Sequence, residues 1–72
     1  MQVADVIAAR IEDGTYPPDS RLPAELDFVA EFGASRESVR RAIKELRNRG
    51  LIETVGGKGS FVLPPEERTP RA

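Results

Sequence analysis

Cysteine and histidine are both absent from this 72-residue chain, and each absence closes off a class of chemistry. Without thiols there is no disulfide framework and no thiolate site. Without imidazole the usual general base is missing, and a metal site would have to be built from carboxylates alone. No carboxylates stand at a spacing that suggests a convergent acid–base pair. The chain also lacks any apolar run near the roughly 18 residues that span a bilayer, and no signal-peptide pattern opens it. Enzymatic activity, a cofactor, a bound metal and a membrane partner are therefore not expected, and the cytoplasm is the natural compartment. The G-G-K-G run at Gly56–Gly59 is no nucleotide site either. Ile52 stands where the first glycine of a Walker A loop belongs, and Val62 breaks G-x-G-x-x-G.

What is present suits one small soluble domain. At 39% hydrophobic and 32% charged residues, the composition is that of a globular chain. A chain of this length buries only about 60% of its unfolded surface, which predicts modest stability. The net charge of −1 conceals an asymmetry. Residues 1–34 hold two basic and seven acidic side chains, a balance of −5, whereas residues 35–61 hold seven basic and three acidic, a balance of +4. Such a division directs a positive face at phosphates while the whole stays soluble, although a solvated charged helix gives the same count.

The apolar periodicity predicts three helices and a hairpin. Val3, Ile7 and Ile11, with Val6 beside them, form a stripe on a first helix over about Gln2–Asp13, stopped by Gly14. Thr15–Leu22, with Pro17 and Pro18, reads as an irregular connection. A second helix over about Glu25–Phe32 carries Leu26, Phe28, Val29 and Phe32 as apolar candidates. Pro23 and Glu25 mark its entry, while Ala24 takes the place of a capping hydroxyl. The third helix is the best marked: Ser35 is a good N-cap, Gly50 a good stop, and Val39, Ala42, Ile43 and Leu46 fall on one face. Arg36, Arg40, Lys44 and Arg47 share one flank of that face. At 1.5 Å per residue such a helix is about 21 Å long, enough to lie along a major groove. Leu51–Val55 and Ser60–Leu63 are β-prone runs around the glycine turn, a hairpin signal, and Pro64-Pro65 closes the second. The final PPEERTPRA reads as a tail or linker, so that residues 1–63 form the domain and 64–72 leave it. Tyr16, Phe28, Phe32 and Phe61 read as packing residues, since no stacking platform for single strands is evident.

Helix–helix–helix–hairpin is the winged helix-turn-helix order, mainly α with a small β-hairpin. Four short pieces sharpen it: G-T-Y-P-P-D-S-R-L-P-A-E at Gly14–Glu25, A-S-R-E-S-V-R at Ala34–Arg40, A-I-K-E-L-R-N-R-G-L-I at Ala42–Ile52 and G-K-G-S-F-V at Gly57–Val62. Together, in this order and over about two-thirds of the chain, they resemble the N-terminal DNA-binding domain of the GntR family of bacterial transcription regulators. The resemblance implies sequence-specific binding to double-stranded operator DNA, repression more than activation, and a homodimer on a palindromic site. It places Ser35, Arg36, Glu37, Ser38 and Arg40 near the DNA, with Lys58 and Gly59 in the wing. The physical chemistry agrees for the arginines, which pair bidentately with guanine O6 and N7, and for serine hydroxyls, which suit phosphate or base contacts. Glu37 either accepts from cytosine N4 or is an exposed bystander. Lys58 either brings a cation to DNA or merely belongs to a tight turn.

Family members commonly join this domain to a larger C-terminal one that binds a small metabolite and drives dimerisation. No effector site is expected within these residues, and PPEERTPRA is either the start of a linker or the end of a small stand-alone regulator. Three positions depart from the family pattern. Asp19 replaces a frequent glycine, Ala24 a serine cap, and Leu26 an arginine that helps hold the DNA backbone. No site residue is therefore assigned to the second helix, and Arg21 nearby is either a substitute contact or an ordinary exposed residue. Arg41, Lys44, Arg47 and Arg49 read first as solvated or paired with Glu37 and Glu45, with room for one or two to reach phosphates. The rival class is a protein-interaction winged helix, in which the basic helix is merely solvated.

Overall fold

Three helices, α1 (Val3–Glu12), α2 (Glu25–Phe32) and α3 (Arg36–Asn48), are followed by an antiparallel hairpin of β1 (Ile52–Val55) and β2 (Gly59–Val62). The structure, a computed structural model, describes residues 2–68. This is the winged helix-turn-helix arrangement expected from the sequence. The helix stops fall at glycines with left-handed backbone: Gly33 ends α2 at φ 60° and Gly50 follows α3 at φ 76°.

The core is built where α1 and α2 cross α3 and the base of the hairpin closes over them. Ile7, Phe28, Val39, Leu46, Ile52 and Val62 are its fully buried side chains. On α3 the expected face is the buried one, with Ile43 half-exposed at its edge. On α1 the inward stripe is Ala4, Ile7, Ala8 and Ile11. Val3 and Val6 lie to its sides, because the i, i+3, i+4, i+7 set that includes Ile7 and Ile11 runs through the two alanines. Leu26, expected among the apolar contacts of α2, is instead 61% exposed. It lies two residues before the buried Phe28, a step of about 200° around a helix.

The connection before α2 is more ordered than its prolines suggest. Arg21 forms an isolated bridge with Phe61. The Asp19 and Leu22 amides donate to the Val62 and Ser60 carbonyls (both 2.8 Å), and the Val62 amide donates to the Ser20 carbonyl (2.9 Å). This short third rung covers the outer edge of β2, which would otherwise present unpaired amides. Asp19 adopts φ 65°, the one left-handed non-glycine among the described residues, which explains physically why glycine suits this place. Beyond the hairpin, Pro64 is buried, Pro65–Glu67 make one 3-10 turn, and Arg68 Nε donates to the Leu63 carbonyl (2.8 Å). The last four residues of the expected tail lie outside the described residues.

Candidate nucleic-acid interface

The open end of α3 is organised by its own first turn. The Ser38 amide donates to Ser35 Oγ (3.1 Å), and the two hydroxyls lie 3.0 Å apart. Ser35 thus serves as the cap, with the Ser38 hydroxyl accepting from its Oγ. Arg36 and Arg40, one turn apart, run back toward α2 and meet a single carboxylate. Arg36 Nε donates to Glu25 Oε1 (3.0 Å) and Arg40 Nε to Glu25 Oε2 (3.1 Å). The Arg36 guanidinium, helped by that of Arg40, holds the Glu25 carboxyl below its ordinary range, while partial loss of water pushes it the other way. Each arginine spends only Nε on this contact. Its terminal nitrogens make no hydrogen bond among the described residues, and the side chains are 61% and 64% exposed.

Glu25 is the residue of this candidate site that sequence reasoning missed. It was legible as an acidic residue at a helix N-terminus, where the dipole favours it. Its spacing to Arg36 and Arg40 in sequence says nothing of their contact, which depends on the angle between α2 and α3. Helix α2 lacks a capping side chain at Ala24, as expected, and half of the missing cap is supplied from within: the Ala24 amide donates to Asp27 Oδ2 (3.1 Å).

The remaining sequence candidates fall in two places. Glu37 sits on the exposed side of α3 and accepts from Arg41 one turn on (2.8 Å). Arg49 is likewise paired, with Glu45 (2.8 Å) and with Asp5 of α1 (3.1 Å), so Arg41 and Arg49 are both held by carboxylates of the chain itself. Lys58 is exposed at the tip of the hairpin, its amide closing the turn on the Val55 carbonyl (3.0 Å). Gly59 begins β2 at φ 111°, and an added Cβ would lie 2.7 Å from Arg21 Nε. Glycine suits the backbone conformation there, and a larger residue would also have to displace the Arg21 side chain laid across it. A concave surface lined by Glu25, Arg40 and Gly59 joins the α3 site to the wing.

No group of three or more metal-ligating side chains is present among the described residues, and no helix among them is long and apolar enough to cross a membrane. Residues 1–62 match the family model described as bacterial regulatory proteins, gntR family. The chain belongs to that family. GntR-family proteins are transcription regulators, not enzymes. Over 65 residues the chain is 38% identical to the histidine utilization repressor of Klebsiella aerogenes, and over 65 residues 37% identical to the transcriptional repressor NagR of Bacillus subtilis. Each alignment covers 90% of this chain and 27% of the relative, so the chain spans about a quarter of the length of the curated relatives it matches. Among solved structures, the DNA-binding domain of AraR in complex with an operator superimposes with a TM-score of 0.81 at 39% identity, covering 85% of this chain and 74% of that one. A GntR-family regulator from Listeria monocytogenes gives a TM-score of 0.85 at 25% identity, over 93% of this chain and 59% of that one.

Proposed function

We propose that this chain is the operator-reading part of a bacterial transcription repressor, acting in the cytoplasm as one half of a homodimer on a palindromic site. The observation that carries the reading is the pair of guanidiniums at the open end of α3, held in place by Glu25 with their terminal nitrogens unspent. A recognition helix meets base edges with its N-terminal residues. There, Arg36 and Arg40 pair with guanine edges, Ser35 and Ser38 meet phosphate or base, and Glu37 accepts from cytosine where the site offers one. Lys58, on the bare backbone of Gly57 and Gly59, brings a cation to the adjacent minor groove. The operator complex of the related AraR domain supports this reading, as do the repressor functions named for the two relatives. Residues 1–63 form the reading unit and residues 64–72 lead out of it. Two copies then address half-sites about 34 Å apart, one helical turn of DNA.

Selection from a random duplex pool, with bound sites sequenced at two salt concentrations, tests the proposal. The expected result is a palindromic motif whose affinity falls steeply with salt, because neutralised phosphates release counterions. Absence of binding even at low salt overturns it in favour of a protein-interaction winged helix.

A further inference from the structure

Helix α3 carries cations on two flanks, and the fold treats them differently. On one flank Arg41 and Arg49 are each bound to acidic side chains. On the other, Lys44 and Arg47 have no ion pair among the described residues. They line the concave surface between α3 and the wing together with Arg21, which comes from the connection before α2 and is also without an ion pair there. The one acidic residue lining this surface, Glu25, is already shared between Arg36 and Arg40. Three cations from two separate segments therefore converge on one groove without a counter-ion from the protein.

The hairpin completes it. Ile52 pairs with Val62 and Thr54 with Ser60, so by the two-residue period of a strand these four side chains share the inward face. The first pair is buried in the core, and the second continues the same face past the end of the core, changing it from hydrocarbon to hydroxyl. Thr54 Oγ1 and Ser60 Oγ lie 3.1 Å apart, and Arg47 donates to Thr54 Oγ1 (3.2 Å). That hydroxyl pair orients Arg47 without neutralising it. Across the groove, Arg21 is laid over the bare Cα of Gly59.

We infer that this groove seats a strand of the DNA backbone, with Lys44, Arg47 and Arg21 as phosphate ligands and the Thr54–Ser60 hydroxyls beneath them. The inference rests on the duplex-binding reading above and adds a register to it. A helix in the major groove and a hairpin tip in the neighbouring minor groove straddle one sugar–phosphate strand, which has to cross the protein between them. Cations and hydroxyls held there fix the docking position but read no base.

The test is equilibrium binding of the 72-residue chain to its selected site and to an unrelated duplex, across a salt series. Wild type is compared with Lys44→Ala, Arg47→Ala and Arg21→Ala, each checked by thermal melting, with Lys44→Gln as a further variant that leaves the hairpin untouched. Each substitution is expected to weaken binding to both duplexes by a similar factor, to leave the selected motif unchanged, and to lower the slope of log affinity against log salt by about 1. On the selected site, a neutral methylphosphonate at the phosphate between the motif and the wing's minor groove should weaken wild type and leave Lys44→Ala nearly indifferent. Unchanged salt slopes in folded variants overturn the groove while wild-type binding still upholds the parent reading. A changed motif also overturns it, by showing base contact instead. Failure of wild type to bind any duplex overturns both.

Discussion

Two arginine–glutamate clusters lie near opposite ends of α2, and their difference shows how surroundings decide what an arginine is for. Arg10 of α1 is engaged on all sides: it pairs with Glu31, donates to the Tyr16 hydroxyl (2.9 Å), and lies with its guanidinium carbon 5.2 Å from the centre of the Phe32 ring. Glu31, followed by Tyr16, stabilises its charged form further above an already high ordinary value. Both of its terminal nitrogens are spent inside the protein, and the side chain is 29% exposed. Arg36 and Arg40 also hold a glutamate, yet each offers it a single nitrogen and remains about twice as exposed. The first cluster ties α1 to α2. The second leaves its guanidiniums exposed at the start of α3.

The largest effect should come from removing the floor of the inner cluster. Phe28 is fully buried, stacks on Phe32 (5.8 Å between centroids) and meets Tyr16 edge-on (6.4 Å). Phe28→Ala should cost about 3–5 kcal/mol in a urea or thermal melt. That is comparable with the whole stability of a small domain, about 5 kcal/mol at the low end, so the variant should be largely unfolded at 37 °C and bind no operator. The outer cluster should behave the opposite way. Arg36→Ala or Arg40→Ala should leave the melting temperature nearly unchanged while costing about 1–3 kcal/mol at the selected site, read by titration against that duplex. An unchanged sequence preference in the double variant would remove both arginines from base recognition, whatever else binds DNA. Arg10→Ala completes the contrast: a lower melting temperature with the same affinity per folded molecule.

The fold was legible because its signals are local. Ser35, Gly33, Gly50 and the Val39–Leu46 periodicity are read within one helix each, and the hairpin announces itself in a dozen residues. What escaped is whatever depends on elements meeting. The α1 stripe reads as Val3, Ile7 and Ile11 with Val6 beside them; the two isoleucines are buried, but the inward face is completed by Ala4 and Ala8 rather than by the valines. Leu26 is an apolar candidate by residue type alone, and only the packing of α2 shows it exposed. The rung at Asp19–Leu22 was hidden behind two prolines, though the left-handed demand at Asp19 was visible as a departure from a glycine. In the candidate site, Arg36 and Arg40 were accessible from helix position and residue type. Glu25 was not, because its role exists only across the α2–α3 angle, and the distinction between Lys44 or Arg47 and Arg41 or Arg49 required knowing which flank faces the wing.

A smaller change should sharpen the outer cluster without adding any contact to DNA. Ala24 is the N-cap of α2 and has no side chain to offer, while Asp27 already returns half of a capping box. Ala24→Ser supplies the other half and should raise stability by about 0.5–1 kcal/mol in a denaturant melt. Because Glu25 is the next residue, a firmer first turn should also steady the carboxylate that holds both arginines, and the affinity for the selected site should rise slightly or stay level. A fall in affinity would mean that Glu25 has to move when DNA binds.

The smallest effect tests that carboxylate itself, and its sign follows from its titration. Glu25 is held below its ordinary range by Arg36 and then Arg40, so the clamp is fully formed above the ordinary carboxylate range and opens as pH falls through the lowered value. At neutral pH, Glu25→Gln should therefore do what acid does to the wild type. It frees two guanidiniums and removes one negative charge from the face proposed to meet phosphates. Binding to unrelated duplex should tighten, since net attraction grows, while binding to the selected site gains less, because the arginines no longer arrive in position. The ratio of the two affinities should narrow by a few-fold, and the wild-type ratio should narrow in the same way only toward acid pH. If Glu25→Gln tightens both duplexes equally, the glutamate merely tempers charge. A narrowed ratio would make it the residue through which α2 positions the reading side chains of α3.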